Sequence, residues 1–452
     1  MRAYIESGQE NPEDISEAPY PRWVRINTLK TTLEDQLETT FAECERATTV
    51  NDVRQRDSKQ IYVDVHIPNL VAVSPCVDLI SSEAYKSGAI VFQDKASCFP
   101  AYLLDPLAED GDIIDTCSAP GNKTTHIAAI LLSRNPESED CKQKIHAFEK
   151  NKGRAKTLEK MVNLAGSDAW TTLHSGQDFL KASPDSPMFK DVGALLLDPS
   201  CSGSGIIGRD DMPPLHLPVL ELSGAAASAG SKKTAKRADK SKETRKRKRE
   251  DDEDLTMVDD DGVVTTVDTG DELKTRLAAL SAFQLDLLLH AFKFPAARKI
   301  TYSTCSIHSE ENESVVQSAL ASDVAKQHGW RILMRDEQIR GMREWPVRGS
   351  VDACRKDTAL AEACIRATKG DEHGTMGFFL AGFVRDAPAA EDADAQFLRD
   401  ERGHLVRDLL GFPVRVDQDA NRTKSIEHEM DEDEQGASVE EWNGFSDDED
   451  LA

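Results

Sequence analysis

The stretch GDIIDTCSAPGNKTTHIAAILL, residues 111–132, determines the fold of this chain. An apolar run ends in a turn that contains Pro120 and Gly121, and a helical pattern of apolar residues follows. Further strand patterns occur at 144–150, 170–175, 192–200, 297–306 and 375–385. Helical patterns separate most of them, among others at 151–166 and 277–294. Strand–helix alternation of this length predicts an α/β fold with a mostly parallel, doubly wound sheet.

Three further segments complete the pattern. RWVRINTL (22–29) and QIYVDVHIPNLVAV (60–73) are typical of strands and predict a small α+β lobe ahead of the sheet. GAIVFQDKASCFPAYLL (88–104) predicts a strand that leads into a helix. HSEENESVV (308–316) predicts a helix with Glu310, Glu311 and Glu313 in its first turn, because acidic side chains favour a helix N-terminus.

Charge is distributed in blocks along the 452 residues. The formal net charge of −26 argues against a simple basic nucleic-acid binder, although an acidic average does not exclude a basic patch. Residues 231–250 contain 11 Lys and Arg against 3 acids, residues 251–261 contain seven acids, and residues 427–450 contain 12 acids and no Lys or Arg. Such blocks bury too little apolar surface to fold, so we expect disorder there.

These patterns predict the domain organisation. The predicted parts are a disordered or truncated N-terminus at 1–20, the small lobe at 21–87, an α/β domain at 88–387, a disordered basic and acidic insertion at 211–272, and an acidic, largely disordered tail at 388–452.

Several classes of protein are disfavoured. No stretch approaches 18 uninterrupted apolar residues, and the N-terminus has no apolar signal region, so neither a membrane protein nor a secreted one is expected. Nine cysteines without a Cys-x-x-Cys pair indicate a reducing compartment and argue against a disulfide framework or a cysteine-type zinc site. We therefore expect no metal.

The segment DTCSAPGNKT (115–124) is a candidate nucleotide-binding loop. It matches neither the phosphate-binding GxxxxGK[ST] pattern nor the dinucleotide GxGxxG pattern, so an ordinary strand–turn–helix remains the alternative. Glu149 ends the second strand, where doubly wound folds bind ribose hydroxyls. Arg154 could brace the site or be solvated, and Asp178 could contact an adenine ring or serve only in a turn.

Two cysteines follow predicted strand ends. Cys201 lies in LLLDPSCSGSG (195–205) and Cys305 lies in ITYSTCS (300–306), each among small hydroxyl residues. A single cysteine is usually a small buried apolar residue. Two thiols and the carboxyl of Asp198 at the ligand-binding edge of the sheet instead suit chemistry on cytosine. A thiolate can add to carbon 6, a carboxyl can accommodate charge at ring nitrogen 3, and a base can remove the proton at carbon 5.

Several of these segments together resemble one family. DTCSAPGNKT, LLLDPSCSGSG and YSTCSIHSEENESVV, with RWVRINTLK and FQDKAS, are similar to motifs of the NOL/NOP/Sun RNA cytosine-C5 methyltransferases. The resemblance extends from about Arg22 to Arg385, interrupted by the insertion, and is greatest to the eukaryotic subgroup that acts on large-subunit ribosomal RNA. It implies a Rossmann-like class I fold of S-adenosylmethionine-dependent methyltransferases.

The resemblance also implies roles for individual residues. Cys305 would be the nucleophile, Cys201 would promote elimination and product release, and Asp198 would contact cytosine and the methionine end of the cofactor. Lys95 could line the site or form a salt bridge. The residues implied to hold S-adenosylmethionine are Cys117, Ser118, Ala119, Pro120, Gly121, Asn122, Lys123, Glu149, Arg154, Asp178 and Asp198.

The chain departs from the family in two places. Only about twenty polar residues precede the RWVRINTLK motif where the family carries a helical RNA-binding segment, and the charged insertion is not a family feature. The basic block at 231–250 is typical of a nuclear-localisation signal, so we expect a nuclear protein. The resemblance implies ribosomal RNA as the partner and a nucleolar location, and we expect a monomer. One alternative is an enzyme that acts on transfer RNA or another RNA, and a second is a catalytically silent RNA-binding assembly factor. A third, a DNA cytosine methyltransferase, is disfavoured because Ser200 and not proline precedes Cys201.

Overall fold

A computed structural model describes residues 20–55, 58–134, 143–206 and 270–385, the backbone of 255–258 and 264–267, and residues 398, 406, 407 and 414. The chain divides into two units, at 1–388 and 389–452. In the second unit, backbone hydrogen bonds link Leu398, Val406 and Val414. All helices and strands named below belong to the first unit. Most of the predicted insertion and tail lies outside the described residues, and the predicted domain boundaries stay predictions.

The small lobe is built on a five-stranded sheet. Its strands are β1 (Arg22–Ile26), β2 (Glu45–Arg46), β3 (Gln60–Val63), β4 (Leu70–Val73) and β5 (Ile90–Phe92), in the order β2-β3-β4-β1-β5. Its helices are α1 (Leu33–Glu38), α2 (Val50–Val53) and α3 (Glu83–Lys86). The predicted strand pattern at 60–73 is a pair of antiparallel strands, because the chain turns at Asn69, whose φ is 56°. The mixture of strands and short helices fits the α+β prediction.

The larger part of the unit contains the second sheet. Its helices are α4 (Lys95–Leu104), α5 (Asn122–Arg134), α6 (Lys152–Ala165), α7 (Gly270–Ala291), α8 (Glu313–Ala321), α9 (Asp323–His328), α10 (Arg340–Glu344) and α11 (Thr358–Ala363). Its strands are β6 (Asp112–Asp115), β7 (Ile145–Glu149), β8 (Thr171–Ser175), β9 (Val192–Leu197), β12 (Lys299–Thr304), β13 (Arg331–Ile332), β14 (Ile365–Ala367) and β15 (Phe378–Val384). The remaining two strands, β10 (Leu255–Val258) and β11 (Val264–Val267), pair with each other.

The strand order of the large sheet is β13-β15-β12-β9-β6-β7-β8, with β14 paired to β15. The central run from β12 to β8 is parallel, whereas β15 runs antiparallel to β12. Every residue of β9 is buried, as expected for a strand covered by helices on both faces. The prediction of a mostly parallel, doubly wound α/β sheet is therefore confirmed.

The structure differs from the prediction inside the insertion. The prediction placed disorder throughout 211–272, but β10 and β11 form a two-stranded antiparallel sheet, and α7 begins at Gly270 and not at 277. The sequences LTMV and VTTV that form these strands are rich in residues with high strand propensity, which explains the difference.

The small lobe and the large sheet share one apolar core. Trp23 of β1, Phe99 of α4, Phe378 of β15 and Trp345, which follows α10, belong to the same buried cluster. Trp345 is fully buried, and its indole Nε1 donates a hydrogen bond to the carbonyl oxygen of Arg366 at 2.7 Å. This packing fixes the lobe against the edge of the sheet where the candidate site lies. Among the described helices, none combines the length and the apolar character that a membrane crossing requires.

Candidate active site

The loop between β6 and α5 is tied to both neighbouring elements. Asp115, the last residue of β6, is buried, and its Oδ2 accepts a hydrogen bond from Thr124 Oγ1 at 2.6 Å. Ser118 Oγ donates to the Asp115 carbonyl at 2.8 Å, and Ser118 N donates to the Phe148 carbonyl at 2.9 Å. Burial raises the pKa of Asp115 to about 6, and desolvation raises the pKa of the Cys117 thiol to about 12. The Cys117 thiol is therefore protonated near neutral pH.

Gly121 allows the tight turn into α5. Its φ is +111°, a conformation that residues with a side chain rarely adopt. A Cβ at this position would lie 3.0 Å from Met161 Cγ and 3.2 Å from Leu158 Cδ1, both on α6. The backbone at Gly121 therefore packs directly against α6.

Glu149 and Arg154 are joined to this loop. Glu149 ends β7, and its Oε1 accepts a hydrogen bond from the Asn151 backbone N–H at 2.7 Å. Its Oε2 lies 3.7 Å from Arg154 Nε, which is too long for a hydrogen bond. Arg154 Nη2 donates to the Ala119 carbonyl at 3.0 Å. Arg154 therefore contacts the candidate loop, and its part in the site stays a prediction.

Asp178 lies beyond β8 and makes two local contacts. Its Oδ2 is 2.9 Å from Lys150 Nζ, and its Oδ1 accepts a hydrogen bond from the Leu180 backbone N–H at 3.1 Å. Partial burial opposes the charged form, but the hydrogen bonds from Lys150 and Leu180 and the nearby positive charges together outweigh it, and the pKa of Asp178 is lowered. Lys150 directly follows Glu149, so Asp178 lies at the same edge of the sheet as Glu149.

A partly buried ion pair connects the start of α5 to the residue that follows β9. Lys123 Nζ lies 2.6 Å from Asp198 Oδ2 and donates to Ser97 Oγ at 3.1 Å. Asp198 Oδ1 accepts a hydrogen bond from Ser303 Oγ of β12 at 2.6 Å. Burial disfavours the charged ammonium, yet the Asp198 carboxylate beside it raises the pKa of Lys123 above its usual value. Lys123 therefore carries a positive charge next to a carboxylate that is 26% exposed.

The two cysteines are in direct contact. The Sγ atoms of Cys201 and Cys305 lie 2.9 Å apart. Cys201 is only 1% exposed, and Cys305 is half-buried. The loops that carry them are bonded through their backbones, since Gly205 N donates to the Cys305 carbonyl at 2.9 Å. A Cβ on Gly205 would lie 2.2 Å from the Gly377 carbonyl oxygen, so only glycine permits this approach.

Three serines support the cysteine loops. Ser202 Oγ is hydrogen-bonded to Ser204 Oγ at 3.0 Å and to Ser306 Oγ at 3.1 Å. Ser204 Oγ also accepts a hydrogen bond from the backbone N–H of Ile307 at 3.1 Å. The hydroxyl residues noted around both cysteines thus connect the two loops and fix their separation.

Sequence reasoning missed several residues that hold the site together. The prediction that Glu310, Glu311 and Glu313 share a first helical turn is wrong for two of them, because α8 begins at Glu313. Glu311 is instead fully buried, and its Oε1 accepts hydrogen bonds from Ser202 N at 2.9 Å and from Gln284 Nε2 at 3.0 Å. The only sign in the sequence of this buried supporting role is an acidic residue that follows the second cysteine motif within a few positions.

Arg25 was also missed as a site residue. It lies on β1, is 1% exposed, and donates through Nε to Gln93 Oε1 at 2.7 Å and through Nη2 to Thr125 Oγ1 at 2.9 Å. It thereby links the small lobe to the first turn of α5. Burial lowers the pKa of Arg25 to about 10, so the guanidinium remains charged. In the sequence Arg25 is only a charged residue within a strand pattern, and this does not indicate that its partner is Thr125.

Lys95 follows the second of its two interpretations. Its ammonium forms a buried ion pair with Asp64 and lies 5.3 Å from the ring centre of Trp23 and 5.0 Å from that of Trp345. Lys95 therefore belongs to the core between the lobe and the sheet. Within the described part of the chain, no group of three or more His, Cys, Asp or Glu side chains is placed to hold a metal ion.

Comparison with known protein families gives two matches. Residues 20–93 match the family model described as the ferredoxin-like domain of NOL1/NOP2/Sun domain family member 5. Residues 101–213 match the family model described as 16S rRNA methyltransferase RsmB/F. The first match covers the small lobe, and the second covers the candidate cofactor loop and Cys201.

Similar proteins occur in distant eukaryotes. The 25S rRNA (cytosine-C(5))-methyltransferase rcm1 of Schizosaccharomyces pombe is 34% identical over 84% of this chain, which spans 66% of that protein. A 28S rRNA (cytosine-C(5))-methyltransferase of Mus musculus is 32% identical over 81% of this chain, which spans 62% of that protein. The chain thus spans less than two thirds of the length of these relatives.

Among solved structures, a methyltransferase homolog from Pyrococcus horikoshii has a TM-score of 0.52 and 19% sequence identity. The match covers 81% of this chain and 87% of that one. At this identity the likeness concerns the fold, which is the Rossmann-like fold of S-adenosylmethionine-dependent methyltransferases with an N-terminal lobe.

Proposed function

The chain belongs to the NOL1/NOP2/Sun domain family, and from this membership we propose that it is an S-adenosylmethionine-dependent RNA cytosine-C5 methyltransferase. We propose large-subunit ribosomal RNA as its substrate, since the relatives from Schizosaccharomyces pombe and Mus musculus bear that activity in their names. One observation carries the chemical part of the proposal. The Sγ atoms of Cys201 and Cys305 are 2.9 Å apart, beyond the carboxyl ends of the adjacent parallel strands β9 and β12.

The residues around the β6–α5 loop fit the cofactor. Asp115 Oδ1 is buried and makes no hydrogen bond with any residue that the structure describes, and the same is true of Asn122 Oδ1. Glu149 Oε2 retains acceptor capacity, because its 3.7 Å contact with Arg154 is too long for a hydrogen bond. Acceptors that lie at strand ends beside a glycine turn suit a nucleoside with ribose hydroxyls. We therefore assign cofactor binding to this edge.

The assignment extends over the whole loop and its neighbours. S-adenosylmethionine, when bound, supplies an electrophilic methyl group. Glu149 would bind the ribose hydroxyls, and Asp178 would face the adenine side. The residues to which we assign cofactor binding are Cys117, Ser118, Ala119, Pro120, Gly121, Asn122, Lys123, Glu149, Arg154, Asp178 and Asp198.

Cys305 is the proposed nucleophile. After the thiol has lost its proton to water, the thiolate sulfur forms a bond with carbon 6 of cytosine. The electron pair of the carbon 5–carbon 6 double bond is shared between carbon 5, which becomes nucleophilic, and ring nitrogen 3. Charge then develops at ring nitrogen 3. We assign its stabilisation to the Lys123 ammonium, and we assign contact with the base edge to the Asp198 carboxyl group 2.6 Å away.

Cys201 is the proposed partner in elimination. After carbon 5 has been methylated, its proton must leave, the sulfur–carbon 6 bond must break, and the double bond must re-form. Cys305 then departs as a thiolate and receives a proton. The Cys201 sulfur, at contact distance from Cys305, is positioned to accept the carbon 5 proton, whose electron pair re-forms the double bond, and to pass a proton to the departing Cys305 thiolate. Without it, the covalent protein–RNA adduct should persist.

Single cysteine variants test the proposal. We expect Cys201→Ala to accumulate a denaturant-resistant protein–RNA adduct on large-subunit ribosomal RNA from a strain that lacks the protein. Cys305→Ala should abolish both the adduct and methylation, because it removes the nucleophile. Cys76→Ala, which changes an exposed cysteine, is the matched control and should turn over like the wild type. Adduct is measured by gel electrophoresis and methylation by transfer of a labelled methyl group.

Two outcomes would contradict the proposal. If Cys201→Ala forms no adduct while the wild type is active, the two-thiol scheme is wrong. If the wild type transfers no methyl group to this RNA or to transfer RNA, the protein is instead a silent RNA-binding assembly factor.

We also propose a nuclear, nucleolar location. Residues 231–250, which lie outside the described residues, contain 11 Lys and Arg, as is typical of nuclear-localisation signals. A nucleolar location would bring the protein to newly made ribosomal RNA. We propose that it acts there as a monomer.

A further inference from the structure

A buried carboxylate bridges the two cysteine loops. Glu311 is 0% exposed and lies between β12 and α8. Its Oε1 accepts a hydrogen bond from the backbone N–H of Ser202 at 2.9 Å, and its carbonyl oxygen accepts one from the Tyr302 hydroxyl at 2.5 Å. Ser202 directly follows Cys201, and Tyr302 lies on β12, which ends directly before Cys305. One residue is therefore bonded to the chain beside both thiols.

A second buried residue completes the support. Gln284 of α7 is 0% exposed, and its Nε2 donates to Glu311 Oε1 at 3.0 Å and to the Ser200 carbonyl at 3.1 Å. The backbone is thus held on both sides of Cys201, through the carbonyl of Ser200 and the N–H of Ser202. The Cys201 side chain has little freedom to move away from Cys305.

The partners of Glu311 make this a costly arrangement. Both donors to its Oε1 are neutral, and no lysine, arginine or histidine among the described residues forms an ion pair with it. Its Oε2 is buried and makes no hydrogen bond with a described residue. A buried carboxylate of this kind is destabilising unless its contacts compensate. Fixing Cys201 against Cys305 is a compensating role that the geometry supplies.

We infer that Glu311 is a positioning residue for Cys201, which holds the Cys201 sulfur in contact with Cys305 so that elimination can follow methylation. The inference rests on the proposed two-thiol function and deepens it. The hydrogen bonds of Glu311 are with Ser202, Gln284 and Tyr302 and not with either thiol, so Glu311 is not a catalytic residue. We expect its effect to fall on the second half of the reaction, because the Cys305 nucleophile directly follows β12, which pairs with β15 along its length and with β9 over Lys299–Tyr302.

The test separates adduct formation from adduct release. We expect Glu311→Ala to methylate large-subunit ribosomal RNA from a strain lacking the protein to about one methyl group per protein molecule and then to stall as a denaturant-resistant adduct. Steady-state turnover should fall about 100-fold, as small misplacements of catalytic groups cause. Glu311→Gln keeps an acceptor oxygen for Ser202 N and should restore most of the turnover. Glu310→Gln changes an exposed neighbouring carboxylate and should behave like the wild type.

Gln284→Leu provides a second route to the same result, since it removes the donor to the Ser200 carbonyl and to Glu311 Oε1 while leaving the residues of both cysteine loops unchanged. It should also accumulate adduct, and it replaces Glu311→Ala if that variant does not fold. The inference is overturned if both Gln284→Leu and Glu311→Gln turn over like the wild type while Glu311→Ala is unfolded. It is equally overturned if folded Glu311→Ala releases product normally or loses adduct formation together with methylation.

The Cys201→Ala arm distinguishes this failure from that of the proposed function. If Cys201→Ala accumulates adduct and the Glu311 and Gln284 variants do not, only the positioning role is wrong. If Cys201→Ala forms no adduct either, the two-thiol function itself is wrong.

Discussion

At the scale of single residues, the Asp115 carboxyl group at the end of β6 has a pKa well above its usual value. It is 1% exposed, and burial raises its pKa to about 6 from an ordinary 3.8. The Thr124 hydroxyl and the Lys123 ammonium act in the opposite direction without cancelling the effect. The neutral carboxyl therefore favours the folded state. The stability that Asp115 contributes is complete below about pH 4 and is lost as the pH rises through about 6.

We expect Asp115→Asn to remove this loss. The variant should match the wild type in stability below about pH 4 and exceed it at pH 8 by up to roughly 3 kcal/mol, because asparagine cannot ionise. Thermal unfolding of both proteins across this pH range measures the difference. Asp185→Asn, at an exposed position, is the control and should leave the pH profile unchanged. A constant difference between Asp115→Asn and the wild type at all pH values would contradict the raised pKa.

At the scale of elements, the junction of β6 with α5 depends on the backbone of Gly121. We expect Gly121→Ala to lower the affinity for S-adenosylmethionine at least tenfold, since a φ of +111° and the contacts with Met161 and Leu158 leave no room for a methyl group. Gly329→Ala is the matched control. Gly329 has a φ of +73° with open space around it, so alanine there should cost roughly 1–2 kcal/mol of stability and leave cofactor affinity unchanged.

Calorimetric titration with the cofactor and thermal unfolding measure the two effects separately. Equal losses of affinity in Gly121→Ala and Gly329→Ala would show that the backbone at Gly121 has no special part in the site.

How far the elements could be predicted depends on the range of the interactions that define them. The central parallel strands, and with them the position of Asp198, Cys201 and Cys305 beyond strand ends, follow from local apolar patterns and the rules of doubly wound sheets. The start of α8 does not. Ser202, Gln284 and Tyr302 bind the carboxylate and the carbonyl of Glu311, and these contacts join distant segments of the chain. The sequence pattern shows an acid-rich helix start there, and tertiary contacts override it.

At the scale of the whole molecule, charge was the least informative feature of the sequence. The tail at 427–450 and the acidic run at 251–261 contribute −12 and −7, and the basic block at 231–250 contributes +8, so the rest of the chain accounts for −15 of the total of −26. An acidic body can bind RNA only where basic side chains gather. The segment 335–369 contains eight Lys and Arg against six acids, and it contacts the site through Arg366, whose Nη1 donates to the Ile307 carbonyl at 3.0 Å. The net charge of the chain does not show where such a group of basic side chains lies.

The core shared by the small lobe and the sheet predicts that the described fold unfolds as one unit. Trp345 is fully buried in the cluster that contains Trp23 of β1 and Phe378 of β15. Trp345→Ala should lower the free energy of unfolding by about 3–5 kcal/mol, as large buried aromatic side chains do when truncated. Because both sheets lose the same contact, β1 and β12 should be destabilised together.

Urea unfolding followed by circular dichroism, with hydrogen exchange of β1 and β12 by mass spectrometry, measures this. Met188→Ala, at a side chain that is 57% exposed, should change stability by less than about 0.5 kcal/mol. If Trp345→Ala raised hydrogen exchange in β1 and left β12 protected, the small lobe would be an independent folding unit. In that case the shared core could not be what positions Arg25 of β1 against α5.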